Sequence, residues 1–252
     1  MTLLTSLSPF ELGNGQVVIT PQHIQLTIFP NNGQTYHDAQ VSDYAGLKRR
    51  NFPHRPPLKL SLVAHTSLPS QDLQGTLGFG FWNHPFMAGM SGLRLPRAIW
   101  FFFGAPPNNM PLAMGSRGHG WKAAIFDATK PLFFALLPFA PLGFLLMRIP
   151  RLYRLLWPLG QRSLGVFEQD LDIDIHQPHR YEIHWYRKQV QFWVDGHCVL
   201  STPTASRGPL GFIAWVDNQY AIVTPQGRFG WGTVPLSQPQ TLTISELTIT
   251  QL

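Results

Sequence analysis

The sequence predicts an all-β protein, an antiparallel sandwich interrupted by one apolar helical insertion. Three observations carry that expectation. The chain has 252 residues, of which 44% are hydrophobic, 13% aromatic and only 13% charged, so it can bury a large core and is not disordered. Its 22 Gly and 23 Pro are scattered without a collagen period and read as turn punctuation between short strands. Apolar and polar residues alternate with period two through most of the chain, the pattern of half-buried strands.

Taken in order, Val17–Phe29 is rich in Val, Ile and Thr, and Leu58–Ala64 (LKLSLVA) alternates cleanly. Thr76–Trp82 (TLGFGFW) alternates with Gly at every second step, and Ala98–Phe103 (AIWFFF) is wholly apolar. Tyr181–Trp185, Gln189–Val194, Gly211–Val216 and Thr241–Thr250 continue the style. Turns fall at Asn31-Asn32-Gly33, Pro56-Pro57, Pro106-Pro107-Asn108-Asn109, Asp195-Gly196 and Arg207-Gly208-Pro209. No repeat and no linker interrupts this, so residues 1–252 are expected to form one domain.

Residues 130–165 break the pattern. Pro131–Met147 carries no charge, but Pro138, Pro141 and Gly143 fall in its middle, which argues against a straight spanning helix. Arg148–Trp157 then mixes Arg148, Arg151 and Arg154 with Ile149, Leu152, Leu155, Leu156 and Trp157. Two readings stand: a helix at a membrane interface, with the arginines at headgroups and Trp157 at the boundary, or a lid packed on the sandwich. The net charge of +6 is concentrated here. Between Ala128 and Phe167 there is no acidic residue, yet Lys130, Arg148, Arg151, Arg154 and Arg162 are present, leaving 14 basic and 13 acidic residues elsewhere. A nucleic-acid partner is therefore not expected.

Several chemistries are excluded by motif. There is no G-x-S-x-G, no P-loop and no dinucleotide fingerprint between a strand and a helix. One cysteine, Cys198, rules out an internal disulfide framework and a thiolate zinc site. His176, His179 and His184 are the one histidine cluster and sit in a predicted hairpin, so no metal and no cofactor is expected. The opening MTLLTSLSPFELGNG lacks a basic n-region, and Pro9 and Glu11 interrupt it. No signal peptide is expected, and the location reads as cytoplasmic, peripheral to a membrane if the insertion docks.

One segment carries a recognisable pattern. Tyr181–Gly196, YEIHWYRKQVQFWVDG, runs aromatic–x–hydrophobic–x–Trp, a short turn, then a strand closing on Val-Asp-Gly, with His179 just upstream. This resembles the concanavalin A-like sandwich enzymes of the laminarinase and lichenase type. Asp38-Ala39-Gln40-Val41 resembles an early strand of that family, and Leu58–Ala64 resembles its charged strand without the charges. Gly75–Trp82 resembles the Trp-ended strand across the substrate cleft, and Thr241–Thr250 resembles the closing strand. The resemblance implies a concanavalin A-like jelly roll with a carbohydrate cleft. It also implies a catalytic strand bearing two glutamates and an aspartate at alternate positions, because a retaining glycosidase needs two carboxyl groups about 5–5.5 Å apart. The matching strand, Arg97–Pro106, has no carboxylate.

Within such a cleft Trp82, Asn83, His84, Arg97 and Trp100 are expected along the floor, with core filling the alternative for the two tryptophans. His119, bracketed by Gly118 and Gly120, is either a ligand donor or a turn residue. Asp217 and Asn218 either bind a hydroxylated ligand or form an Asx turn. Glu168, Asp170, Asp172 and Asp174 alternate strictly; they read as a solvated strand face, with a displaced carboxylate pair or a calcium site as the alternative. The expected partner is a carbohydrate, a glycolipid or another hydrophobic small molecule, with a membrane surface as a further contact. An enzyme reusing the cleft and a scaffold acting through the insertion are the competing functions.

Overall fold

The computed structural model describes residues 7–85 and 95–252. The strands are β1 (Ser8–Leu12), β2 (Gly15–Ile19), β3 (His23–Ile28), β4 (Asp38–Ser42), β5 (Leu58–Thr66), β6 (Thr76–Trp82), β7 (Arg97–Gly104) and β8 (Gly120–Asp127). After the insertion come β9 (Phe167–Asp170), β10 (His179–Trp185), β11 (Val190–Val194), β12 (His197–Thr202), β13 (Gly211–Asp217), β14 (Gln219–Val223), β15 (Phe229–Thr233) and β16 (Gln240–Gln251). Two seven-stranded antiparallel sheets form the sandwich, in the orders β1-β4-β13-β6-β7-β8-β9 and β12-β11-β10-β5-β16-β3-β2. The β14–β15 hairpin is a separate two-stranded sheet.

Period-two alternation decides what fills the space between the sheets. Leu77, Phe79 and Phe81 of β6, with Ile99, Phe101 and Phe103 of β7, face inward from the first sheet. Leu58, Leu60 and Leu62 of β5, with Tyr181, Ile183 and Trp185 of β10, meet them from the second. Phe79 lies 5.6 Å from Phe101, 5.7 Å from Trp121 and 5.2 Å from Tyr181 between ring centroids, which ties three strands of one sheet to the other.

Val17–Phe29, expected as β, is divided between β2 and β3, because Pro21 cannot extend the ladder and Thr20 closes the turn through its hydroxyl and the His23 backbone. One expectation about a segment needs correction. The acidic row is not a solvated strand face: β9 ends at Asp170, so Asp172 and Asp174 lie beyond it.

The insertion is helical, as expected, and its prolines divide it. The helices are α1 (Pro131–Leu136), α2 (Ala140–Leu146) and α3 (Pro150–Leu164), with Pro138 in the short turn between the first two. Gly165 ends α3 in the left-handed region, φ 57°, where its N–H caps the Arg162 carbonyl. Among the described residues no helix is long and apolar enough to cross a membrane.

Replacing Phe79 with Ala should cost about 3–5 kcal/mol, the usual range for emptying a buried aromatic site. Urea denaturation measures this, and a loss below about 1 kcal/mol would remove the ring cluster from its central place.

Candidate functional site

The outer face of the first sheet holds a cavity of about 600 Å³. Its floor follows from the same alternation that builds the core. With Leu77, Phe79 and Phe81 turned inward, Thr76, Gly78, Gly80 and Trp82 face the cavity. A Cβ at Gly78 would meet the Phe101 carbonyl at 2.4 Å and the Trp215 ring at 2.8 Å, so glycine here lets Trp215 lie flat across the strand. On β7 the cavity side is Ala98, Trp100 and Phe102. Trp100 is the centre of an aromatic floor, with ring centroids 5.2 Å from Trp215, 5.5 Å from Phe126, 5.7 Å from Phe102 and 6.2 Å from Trp82.

One end of the cavity is acidic. Asp38 of β4 and Asp217 of β13 are register partners, and both are buried, 2% and 5% exposed. Asp217 Oδ1 accepts from the Thr76 hydroxyl at 2.7 Å and from the backbone N–H of Thr76 (3.2 Å) and Gln219 (3.1 Å). Trp215 Nε1 donates to that same Thr76 hydroxyl at 3.0 Å. Tyr36 donates its hydroxyl to Asp217 Oδ2 at 3.2 Å. Asp38 Oδ1 is buried without a hydrogen-bond partner among the described residues. Burial pushes Asp217 up to about 6 against the pull of its hydrogen bonds. Burial and the neighbouring Asp217 push Asp38 well above the ordinary carboxylate range, and burial with both carboxylates raises Tyr36.

The other end is an ion pair. Lys122 and Glu168 side chains are 3% and 6% exposed, with Nζ 3.5 Å from Oε2 and 3.1 Å from the Met110 carbonyl. Glu168 accepts from the backbone N–H of Leu112 (3.1 Å) and Ala113 (2.9 Å) and from the Ser116 hydroxyl (2.7 Å). It therefore satisfies a loop's donors rather than facing solvent. Asp170 and Asp172 pair with Arg117, and Asp174 accepts from the His176 N–H. Among the described residues no His, Cys, Asp or Glu group converges to hold a metal ion.

The predicted site residues divide. Trp82, Trp100 and Asp217 line the cavity. Asn83 instead bridges strand ends, donating to the Leu95 carbonyl and accepting from the Arg97 N–H. His84, at φ 51°, packs edge-on to Tyr44 and Trp82, and burial with the Arg49 charge pushes it down to about 4. Arg97 reaches the Arg207 carbonyl at 2.6 Å, because its position on β7 points away from the cavity. His119 is exposed on the loop before β8. Asn218 is fully buried and holds three chain segments, accepting from the His37 N–H and donating to Asn31 Oδ1 and to the Thr35 and Val234 carbonyls. Its amide is engaged by other chain segments, and the Asx-turn contact is made instead by Asp217, whose Oδ1 accepts from the Gln219 N–H. Trp157 does not sit at a boundary. It is buried, and its Nε1 donates to the Leu112 carbonyl at 3.0 Å, anchoring α3 to the cavity wall. Arg148, Arg151 and Arg154 are exposed. His179 binds Asp195, His184 binds Glu182 and His176 meets the Thr66 carbonyl, so the histidines are separately engaged.

Sequence reasoning missed Tyr36, Asp38, Thr76 and Lys122 as site residues. Asp38 and Gln40, polar at alternate positions in a strand buried on both faces, were the available signal.

The acid pair sets a pH dependence. Native carboxyls titrating above the ordinary 3.8 hold protons that the unfolded chain releases, so their contribution to stability falls as pH rises from about 4 through 6 and beyond. Asp38→Asn should therefore raise the melting temperature at pH 8, by about 2–4 °C per kcal/mol relieved. The gain should shrink toward pH 4. Thermal unfolding across that range checks it, and a variant that melts lower at pH 8 contradicts the assignment.

No protein-family model matches the sequence, and no curated protein matches it. Solved structures do match. An endo-acting O-glycanase of the human gut microbiota is 11% identical, with a TM-score of 0.53 over 95% of this chain and 84% of that one. A GlcNAcα1-4Gal-releasing endo-β-galactosidase from Clostridium perfringens is 10% identical, with a TM-score of 0.50 over 95% of this chain and 58% of that one. A sialidase aligns with 98% of this chain at 10% identity and a TM-score of 0.44, and this chain spans 17% of its length. At these identities the likeness is one of fold, and the fold is a sandwich of two antiparallel sheets.

Proposed function

We propose that the chain is a non-catalytic binding protein whose concave pocket holds a carbohydrate-bearing ligand with an apolar body, of the glycolipid class. The observation that carries this reading is the aromatic floor centred on Trp100, flanked by hydrogen-bonding groups at both ends. Sugar rings present apolar faces that stack on tryptophan and hydroxyls that pair with Asp217, Asp38 and Tyr36. The endo-acting glycosidases that share the fold act on glycans, which supports a carbohydrate. The cavity side of β7 offers Ala98, Trp100 and Phe102 and no carboxylate, which supports binding without the laminarinase-type reaction.

Octyl β-glucoside below its micelle concentration is a suitable probe. Trp100→Ala should weaken its binding at least tenfold, about 1.4 kcal/mol, with the circular dichroism spectrum unchanged. Calorimetry reads this. Unchanged affinity, or hydrolysis of the probe or of β-1,3-glucan by the wild type, would overturn the reading.

A membrane surface is the second part of the proposal. Phe139 of the insertion is 65% exposed and Trp231 of the β14–β15 hairpin 78%, and Phe144 meets Phe229 at 5.5 Å, so the two apolar surfaces join. The same two elements supply Leu164 and Val223 to the pocket wall. Exposed Arg148, Arg151 and Arg154 stand beside them with no acid from Ala128 to Phe167. We place this contact on a cytoplasmic leaflet, since the exposed, unpaired Cys198 suits a reducing compartment. The triple Arg→Gln variant should bind phosphatidylserine vesicles less well, by about 1 kcal/mol per residue removed, and neutral vesicles equally. A flotation assay in which wild type and variant float alike would reject the interfacial role.

A further inference from the structure

The acidic end of the pocket is electrostatically incomplete. Asp38 and Asp217 stand opposite each other on neighbouring antiparallel strands, which brings their Cβ atoms within about 4.5–5.5 Å. Like charges so close in a buried place cannot both ionise freely. A buried carboxylate pair ordinarily carries an arginine or lysine. Among the described residues neither aspartate has one. The groups that reach Asp217 are Tyr36, Thr76 and backbone N–H groups. Asp38 Oδ1 is buried, in the pocket lining, and without a partner among the described residues.

The described surroundings supply no hidden cation. Among the described residues lining the pocket, Lys122 on β8 is the one basic side chain, and it is held by Glu168 of β9 and the Met110 carbonyl. β1 contributes Phe10, β6 contributes Thr76 and Trp82, β7 contributes Trp100 and Phe102, and β14 contributes Tyr220, none of them basic. Trp215, whose indole shares the Thr76 hydroxyl with Asp217, turns an aromatic ring toward the same space, and ring faces attract cations. Two carboxylates, an unfilled acceptor and aromatic walls are complementary to one chemical group.

We propose that Asp38 and Asp217 form a receptor for a ligand ammonium group, so that the ligand of this pocket is an amine: an amino sugar or another amine with an apolar body. The inference rests on the pocket being the binding site proposed above and names the group recognised there. In the empty pocket burial and the neighbouring Asp217 favour a proton on Asp38. An arriving ammonium donates to Asp38 Oδ1 and Asp217 Oδ2, and the Asp38 proton leaves to solvent. An amine arriving neutral takes that proton instead. No covalent bond changes in either case.

Three probes test this by calorimetry at pH 7 in phosphate and in MOPS, whose ionisation enthalpies differ: octyl β-glucoside, octyl 2-amino-2-deoxy-β-glucoside and octylamine. The amino probes should bind at least tenfold more tightly than the glucoside and release up to one proton per ligand, while the glucoside releases none. Asp38→Asn should reduce the amine-over-glucoside preference below threefold and abolish the proton release; thermal melting verifies that this variant is folded, and Asp217→Asn serves as the second variant. If octyl glucoside binds and neither amine binds more tightly, or if the preference survives both substitutions, the ammonium site is wrong while the pocket reading stands. If octylamine binds with Asp38-dependent proton release and neither glucoside binds, the carbohydrate reading fails and the ammonium site stands. If no probe binds, both fall.

Discussion

The sheet that carries β4, β6 and β13 is buried on both of its faces, and the rest of the molecule follows from that constraint. All residues of these three strands are buried. One face is covered by the second sheet through Phe79, Phe101 and Tyr181. Among the described residues the other is covered only in part. It is roofed at its margins by the β14–β15 hairpin and the C-terminal end of α3, and between them it stays a cavity. Apolar surface that a chain leaves uncovered in this way is a standing site for association.

The fold was legible in the sequence because its main signals are local. Thr76–Trp82 announces a strand with one crowded and one cleared face, and both faces are as the alternation implies. Pro138, Pro141 and Pro150 mark the helix breaks of the insertion. Strands that depend on partners were not legible. β1, β14 and β15 have weak patterns of their own, and β14–β15 pair only with each other. The acidic row misled because alternation was taken to continue past Asp170, where the chain leaves the sheet.

The site was legible in part, and the reason is topological. Trp82 and Trp100 could be placed because their strands adjoin in sequence. The Asp38–Asp217 pairing joins residues 179 positions apart, and nothing in either segment alone specifies the other. Asn218 and Asp217, adjacent in sequence, have opposite fates. The strand pleat turns Asp217 to the cavity, and the next residue turns into the loops and is saturated by backbone. Trp157 has the composition of an interfacial residue, yet its indole found a carbonyl on the protein.

The two ends of the pocket differ in what they demand of an occupant. At the Lys122 end, Glu168 takes up the Leu112 and Ala113 N–H groups and the Ser116 hydroxyl, and Trp157 fixes the Leu112 carbonyl. The backbone of that loop is ordered by the fold itself, before anything binds. Its ordering entropy belongs to folding, so a ligand reaching this end loses its own rigid-body and rotamer freedom and imposes no loop-ordering cost. Residues 110–116 thus act as a preset wall against which ligand length is measured, and discrimination there is steric.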